Sequence, residues 1–215
     1  MGAAGLERGD LVVDLAAGTG KLTRLLVDRD LHVIAVEPVA GMRRVLEERV
    51  AAEVVDGTAE AIPLDDCVAR AVTVAQAFHW FDPQRALPEI ARVLRPDGLL
   101  AIVANVRDRD DPLQAALEKV ISPYRGVYPN PDWPERLPEN PFFDPELKTF
   151  RHDQIVDEET FVERVASISW IGTLARDERE AVLAATRALA VDQPRPIRLP
   201  YVTQVFLCRQ RGRQN

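Results

Sequence analysis

The sequence predicts an α/β fold, a doubly wound parallel sheet with right-handed crossovers. Two observations carry that reading. Five short apolar runs alternate with segments of helical period between residues 11 and 106, and the 215-residue chain, 47% hydrophobic, has material for one substantial core.

Leu11 to Leu15, bounded by Asp10 and a glycine turn, reads as a buried parallel strand. Lys21 to about Arg29 follows at helical spacing. His32 to Pro38 (HVIAVEP) is the second strand, and Ala40 to Ala51 sets Met42, Val45, Leu46 and Val50 on one helical face. A third strand lies near Ala52 to Val55, ahead of a turn region with Pro63, Asp65 and Asp66. The fourth is Ala71 to Ala75 and its helix Gln84 to Leu94. Arg95-Pro96 and Asp97-Gly98 end that helix and turn the chain into the fifth strand, Leu99 to Val106. Past Arg107 the alternation stops. A helix over Pro112 to Ile121 leads into a Pro-rich stretch, Tyr124 to Pro145, whose Trp133, Phe142 and Phe143 mark it as a lid or binding loop. A strand around Lys148 to Val156, helices near Glu158 to Val165 and Asp177 to Ala190, and a last strand from Pro200 to Cys208 complete the chain. The expected organisation is one domain over residues 1–215: a ligand-binding core at 11–108, a substrate or lid insertion at 109–146, and C-terminal strands and helices at 147–215.

Composition removes several function classes. A net charge of -7 opposes general affinity for phosphate backbones, so nucleic acid is not an expected partner, and Arg209, Arg211 and Arg213 read as a solubilising tail. Cys67 and Cys208 form no CxxC pair and no metal spacing with His32, His79 or His152, so no metal is expected. The N-terminus lacks a signal-peptide succession, and no apolar run approaches membrane-spanning length. Leu6 stands where a myristoylation motif needs Ser or Thr. A cytoplasmic location, a small-molecule partner and no membrane partner are expected; a homodimer is compatible.

The stretch VVDLAAGTGKLTRLL, Val12 to Leu26, is the informative one. A P-loop would need Gly at Leu15 and Ser or Thr at Leu22. The dinucleotide fingerprint starting at Gly18 and Gly20 needs Gly or Ala where Thr23 stands, leaving only a degenerate version of it. What remains is Asp14 at the strand end, then Ala16, Gly18 and Gly20 at alternate positions. A carboxylate there opposes pyrophosphate and accepts hydrogen bonds from an ammonium, directly or through water. Glu37, about twenty residues beyond the turn, is placed for the two hydroxyls of a ribose. An adenosine with an amino-acid tail and no phosphate, S-adenosylmethionine, satisfies both acids.

With VIAVEPVAGMRRVL, DGTAEAIPLDD, AVTVAQAFHWFD and EIARVLRPDGLLAIVANVRD following in order, the chain resembles the class I S-adenosylmethionine-dependent methyltransferases. The likeness is to the small-molecule branch related to ubiquinone/menaquinone-biosynthesis and trans-aconitate methyltransferases, methyltransferase type 11. It covers most of Leu11 to Asp108. It implies a Rossmann-like, seven-stranded, mostly parallel sheet with an antiparallel C-terminal strand and helices on both faces. It further implies that Asp14, Ala16, Gly18 and Gly20 line the methionine part of the cofactor, Glu37 the ribose, and Thr58, Ala59 and Glu60 the adenine edge, with Met42 near the ring face. Two positions depart from many relatives, which carry Gly at Ala16 and Asp at Thr58.

Several of these residues have plainer readings: Glu60 as a solvated turn acid, Met42 as core. Gln76 ends the fourth strand, where open α/β sheets bind ligands, and so edges the methyl-transfer pocket. His79 follows that strand end with a near-neutral pKa and is the candidate proton acceptor, although a histidine among aromatics is commonly structural. Trp80 is a pocket wall. A carboxylate substrate would need a cation, for which Arg107 and Arg125 are candidates, whereas an O–H or N–H nucleophile would need a base such as His79. The alternatives are an NAD-dependent oxidoreductase with a degenerate fingerprint and a cofactor-binding module without catalysis. Relatives usually place a covering helix before the first strand, whereas only MGAAGLERGD precedes Leu11. The expectation is therefore a cleft open on that side, or one covered by the Pro-rich stretch or a second subunit.

Overall fold

A computed structural model describes residues 5–126, 142 and 146–210. The elements follow in chain order: β1 Leu11–Leu15, α1 Lys21–Val27, β2 His32–Val36, α2 Ala40–Arg49, β3 Glu53–Val55, β4 Ala69–Ala75, α3 Pro83–Val93, β5 Leu94–Arg107, α4 Pro112–Ile121, β6 Glu146–Val156, α5 Glu158–Ala166, α6 Ser169–Gly172, α7 Arg176–Val191 and β7 Ile197–Arg209. Seven strands form a mixed sheet in the order β3-β2-β1-β4-β5-β7-β6, its C-terminal part antiparallel, as the sequence predicts. β1 pairs in parallel with β2 and β4, β2 with β3, and β4 with β5. The register sets Asp14 between Ala35 and Thr73 on the neighbouring strands.

The chain divides into two compact units. The first holds described residues 5–104, 142, 146–148 and 204–210, and the second holds 105–126 and 149–203. The core of the first is built by the apolar runs of β1, β4 and β5 with the buried face of α3, and it includes Phe142, 1% exposed. The second unit has its own apolar cluster, in which Leu113, Leu117 and Ile121 of α4 meet Phe161 and Val165 of α5 and Val182 of α7.

Element identity follows the sequence reading, with differences at edges. β5 begins at Leu94 and not at Leu99: Leu94 pairs with Ala69 and Leu99 with Ala71, so the Arg95-Pro96-Asp97-Gly98 turn bulges out within the strand. Arg70 braces the bulge by donating to the Asp97 carbonyl at 2.7 Å. β7 starts three residues earlier than expected, at Ile197. The four-residue α6 has no counterpart in the sequence reading, because one turn is too short to show a period. Most of the Pro-rich stretch, with Trp133 and Phe143, lies outside the described residues, as do Arg211 and Arg213. Among the described residues no helix is long and apolar enough to cross a membrane.

Gly20 shows why the turn after β1 needs glycine. It precedes α1 with φ 81°, and a Cβ built on it would lie 2.9 Å from Leu46 Cγ and 3.0 Å from Val50 Cγ2 on the α2 side. Both demands fall on one residue. Gly20→Ala is expected to lower unfolding stability by about 2 kcal/mol or more, from the left-handed backbone and the overpacking together, as read by urea denaturation.

Candidate active site

Parallel strands deliver their carboxyl ends to one edge of a sheet, and here the backbone turns away abruptly at two of them. Ala16 after β1 and Gln76 after β4 are both left-handed, with φ 55° and 57°. A side chain in that region costs about 1 kcal/mol or more, so these turns hold strain and open a concavity between the strand ends. The cavity measures about 470 Å³. Ala16, Gly18, Glu37 and Met42 line it from the β1 and β2 side. Thr58, Ala59 and Glu60 line it from the segment after β3, and Gln76 and Trp80 from the β4 end. Nine of the residues singled out in the sequence are thereby gathered in one place. Val39 and Phe81 also line it and had no sequence signal, being apolar residues in turns.

Glu37 is 3% exposed, and its carboxylate is fixed by backbone donors. Gly18 N–H donates to Oε2 at 2.8 Å and Val39 N–H to Oε1 at 2.9 Å. One acid therefore ties the β1 turn to the β2 turn and still has lone pairs for hydroxyl donors, about four sites being available on a carboxylate. Arg43 donates to the Glu37 carbonyl at 2.8 Å, bracing the same turn from α2.

Asp14 sits under the cavity and is not part of its wall. It is 1% exposed, with Thr23 Oγ1 donating to Oδ2 at 2.6 Å and Thr73 Oγ1 donating to Oδ1 at 3.0 Å. Gly20 likewise lies below, against Leu46 and Val50. Thr23, which the dinucleotide fingerprint could not accommodate, holds the acid through its hydroxyl. Burial pushes the Asp14 carboxyl up to about 6, against the lowering effect of the two threonine hydrogen bonds.

The segment carrying Thr58, Ala59 and Glu60 is held from behind. Arg92 on α3 donates to the carbonyls of Ile62 and Leu64, to Asp66 and to both oxygens of Glu89, while Ile62 N–H donates back to Glu89. The Glu89 carboxyl is held below its usual range, chiefly by its hydrogen bond from Arg92. Glu60 itself accepts from Asp82 N–H at 3.0 Å, fastening this segment to the start of α3. Sequence reasoning missed Arg92 because an i,i+3 Glu–Arg pair looks like any exposed helix pair.

His79 lies in a 3-10 turn at Phe78–Trp80, with its ring 4.8 Å from Trp80, and is not itself in the cavity wall. Burial lowers its pKa, which keeps the imidazole neutral at pH 7. Met42 and Trp80 are 43% and 55% exposed, apolar surface left uncovered on the wall of a cavity. Arg107 and Arg125 belong to the second unit and both approach Glu118 there.

A family model described as methyltransferase domain matches residues 13–102. An uncharacterized methyltransferase of Mycobacterium tuberculosis is 41% identical over 198 residues, which cover 89% of this chain and 80% of that protein. Among solved structures, a provisionally named type II methyltransferase from Anaeromyxobacter dehalogenans superposes with a TM-score of 0.69 at 21% identity, covering 94% of this chain and 89% of that one. A geranyl diphosphate methyltransferase in complex with S-adenosylmethionine superposes at 0.54 and 15% identity, covering 96% and 80%. Neighbours in this fold therefore bind that cofactor.

The buried acid sets a pH dependence. Folded Asp14 keeps its proton up to about pH 6, whereas the ordinary value is 3.8. The stability it contributes is therefore full below 3.8 and lost as pH rises through about 6. Relative to wild type, Asp14→Asn should gain about 2 kcal/mol in urea unfolding between about pH 4.5 and about pH 7.5. A constant difference across that window would show that Asp14 is not desolvated.

Proposed function

The chain belongs to the class I S-adenosylmethionine-dependent methyltransferase family, and from that premise we propose that it binds S-adenosylmethionine in the 470 Å³ cavity and methylates a small-molecule acceptor. The observation that carries the reading is Glu37, a buried carboxylate fixed by two backbone donors in the wall of a cavity whose other walls are polar turns and uncovered apolar side chains. Family membership displaces the dinucleotide-dependent alternative, and the Asp14 charge beneath the turn is the physical reason: it favours a cation and repels pyrophosphate.

The residues present fit this cofactor. Glu37 would accept from the ribose hydroxyls, Ala16 and Gly18 would let the chain approach the amino-acid tail closely, and the Thr58–Glu60 segment with Met42 would border the adenine. When bound, the sulfonium supplies an already activated methyl group. The protein's own work is consequently positioning, worth a large share of such a barrier when the attacking atom is held in line. Gln76 and Trp80 border the space where the acceptor would sit. For an acceptor attacking through O–H or N–H, the neutral imidazole of His79, beside Trp80, is the proposed proton acceptor.

Glu37→Ala tests the assignment. Two lost charge-assisted hydrogen bonds should cost about 3 kcal/mol, roughly a hundredfold in Kd by calorimetry. In wild type, S-adenosylmethionine at about a hundred times its Kd should stabilise the fold by roughly 2.7 kcal/mol while NAD gives no comparable rise in Tm. Cofactor affinity unchanged in Glu37→Ala would refute the ribose role. Tight cofactor binding without product across a panel of small acids, phenols and amines would make the chain a binding module and not an enzyme.

A further inference from the structure

The cavity of the first unit has two chemically different ends. At the β1 and β2 end stand Glu37 and the glycine turn proposed for the cofactor. At the β4 end stand Gln76, Ala77, Trp80 and Phe81, one neutral amide and three apolar side chains. Eight large hydrophobic side chains are exposed among the described residues, and three of them, Val39, Met42 and Trp80, line this one cavity. Scattered singly, such side chains need no explanation, whereas their concentration in a concave place marks a ligand groove.

Trp80, 55% exposed, is the largest of the three, and short-range bonds fix where it stands. Its own N–H donates to the Ala77 carbonyl at 2.9 Å, and Phe81 N–H donates to the carbonyl of buried Phe78 at 3.1 Å. Asp82, the next residue, caps α3 by accepting from Gln84 N–H at 3.0 Å, and its own N–H donates to Glu60 at 3.0 Å. The turn therefore holds an exposed indole in the wall and draws a carboxylate to the same end. Charge decides what that end accepts. Glu37 and Glu60 stand in the wall and Asp14 lies beneath it, while no Lys or Arg is among the described residues that line the cavity. Arg107 and Arg125, the cations a carboxylate acceptor would need, belong to the second unit, where both approach Glu118. Fixed carboxylates repel an anion, whereas a flat apolar ring gains contact with the indole without that cost.

We propose that Trp80 selects the methyl acceptor and that the acceptor is a flat aryl molecule without a carboxylate or phosphate, a reading that rests on the methyltransferase function above. Two properties are read by different groups. Flatness is read by the indole, because ring stacking adds to the burial of apolar area and a saturated body of the same size lacks it. The absence of negative charge is read by Glu37 and Glu60 in the same wall. The bound ring lies at the β4 end, on Trp80, and the proposed cofactor keeps the β1 and β2 end.

The test is calorimetry on the full chain, saturated with S-adenosylhomocysteine so that the cofactor's place is filled. The probes are 2-naphthol, its acid counterpart 2-naphthoate and its saturated counterpart decahydro-2-naphthol. The naphthol should bind about tenfold or more tighter than either of the others. Trp80→Ala should weaken the naphthol about tenfold and keep S-adenosylhomocysteine within about twofold, while Trp80→Phe restores the naphthol to within about threefold. Naphthoate or the saturated alcohol binding as tightly as the naphthol would overturn the proposal, and so would a naphthol affinity unchanged in Trp80→Ala. Naphthol that S-adenosylhomocysteine displaces would overturn it too, since the ring would then occupy the cofactor's place. The comparison of probes on wild type needs no variant, so loss of fold in Trp80→Ala leaves it decisive. Wild-type protein that binds S-adenosylhomocysteine and not the naphthol would overturn the acceptor class alone. Protein that binds the naphthol and not S-adenosylhomocysteine would overturn the methyltransferase reading.

Discussion

A carboxylate buried to 1% exposure is the constraint on which the first unit is organised. Asp14 is the one polar residue of an otherwise apolar strand, and an apolar residue in its place would take the acceptor from the Thr23 hydroxyl and leave Thr73 only its longer contact to the Val13 carbonyl. Thr23 reaches it from α1 and Thr73 from β4, so one side chain fixes how the first helix leaves the sheet and how its two central strands align there. Desolvation makes the ionised form costly, a cost that the cation of the proposed cofactor would offset. A surface acid, satisfied by water, would have no such preference.

Glu37 applies the same chemistry differently. Its oxygens accept from backbone N–H groups of two separate turns, so the carboxylate is rigid before any ligand arrives. Preorganisation of this kind matters for methyl transfer, where the leaving group is already activated and geometry carries most of the catalysis. The left-handed residues at the ends of β1 and β4 belong to the same arrangement. Strain held in Ala16 and Gln76 is offset by the pairing of the strands behind them, which register residue by residue from Val12 to Leu15 against β4.

What could be read from sequence tracks the length scale of each interaction. Runs such as Val12 to Leu15 and Ala71 to Ala75 announce buried strands because both of their faces are covered, and the glycine spacing carries its own steric logic. The acids at strand ends were legible for the same reason: a charge closing an apolar run is conspicuous. Arg92 was not, since three of its five acceptors, at Ile62, Leu64 and Asp66, lie 26 to 30 residues away and only the fold assembles them. Nor could the sequence tell apart what neighbouring turn residues do. Gly18 faces open space and Gly20 meets Leu46 and Val50, although the two stand in the same motif. The Arg95–Gly98 turn was read as a boundary and is a bulge, because Leu94, fully buried beside Ala69, continues the pairing across it.

The acids of the first unit set its electrostatics. Around its cavity the first presents carboxylates, Asp14 beneath and Glu37 and Glu60 in the wall, surroundings that favour a sulfonium and an ammonium and disfavour an acid. In the second unit Glu118 meets Arg125 at 2.5 Å and Arg107 at 4.0 Å, so basic charge there is held against an acid of the same unit. Discrimination at the proposed cofactor site then comes from fixed charge, because carboxylates that favour a cation repel an anion.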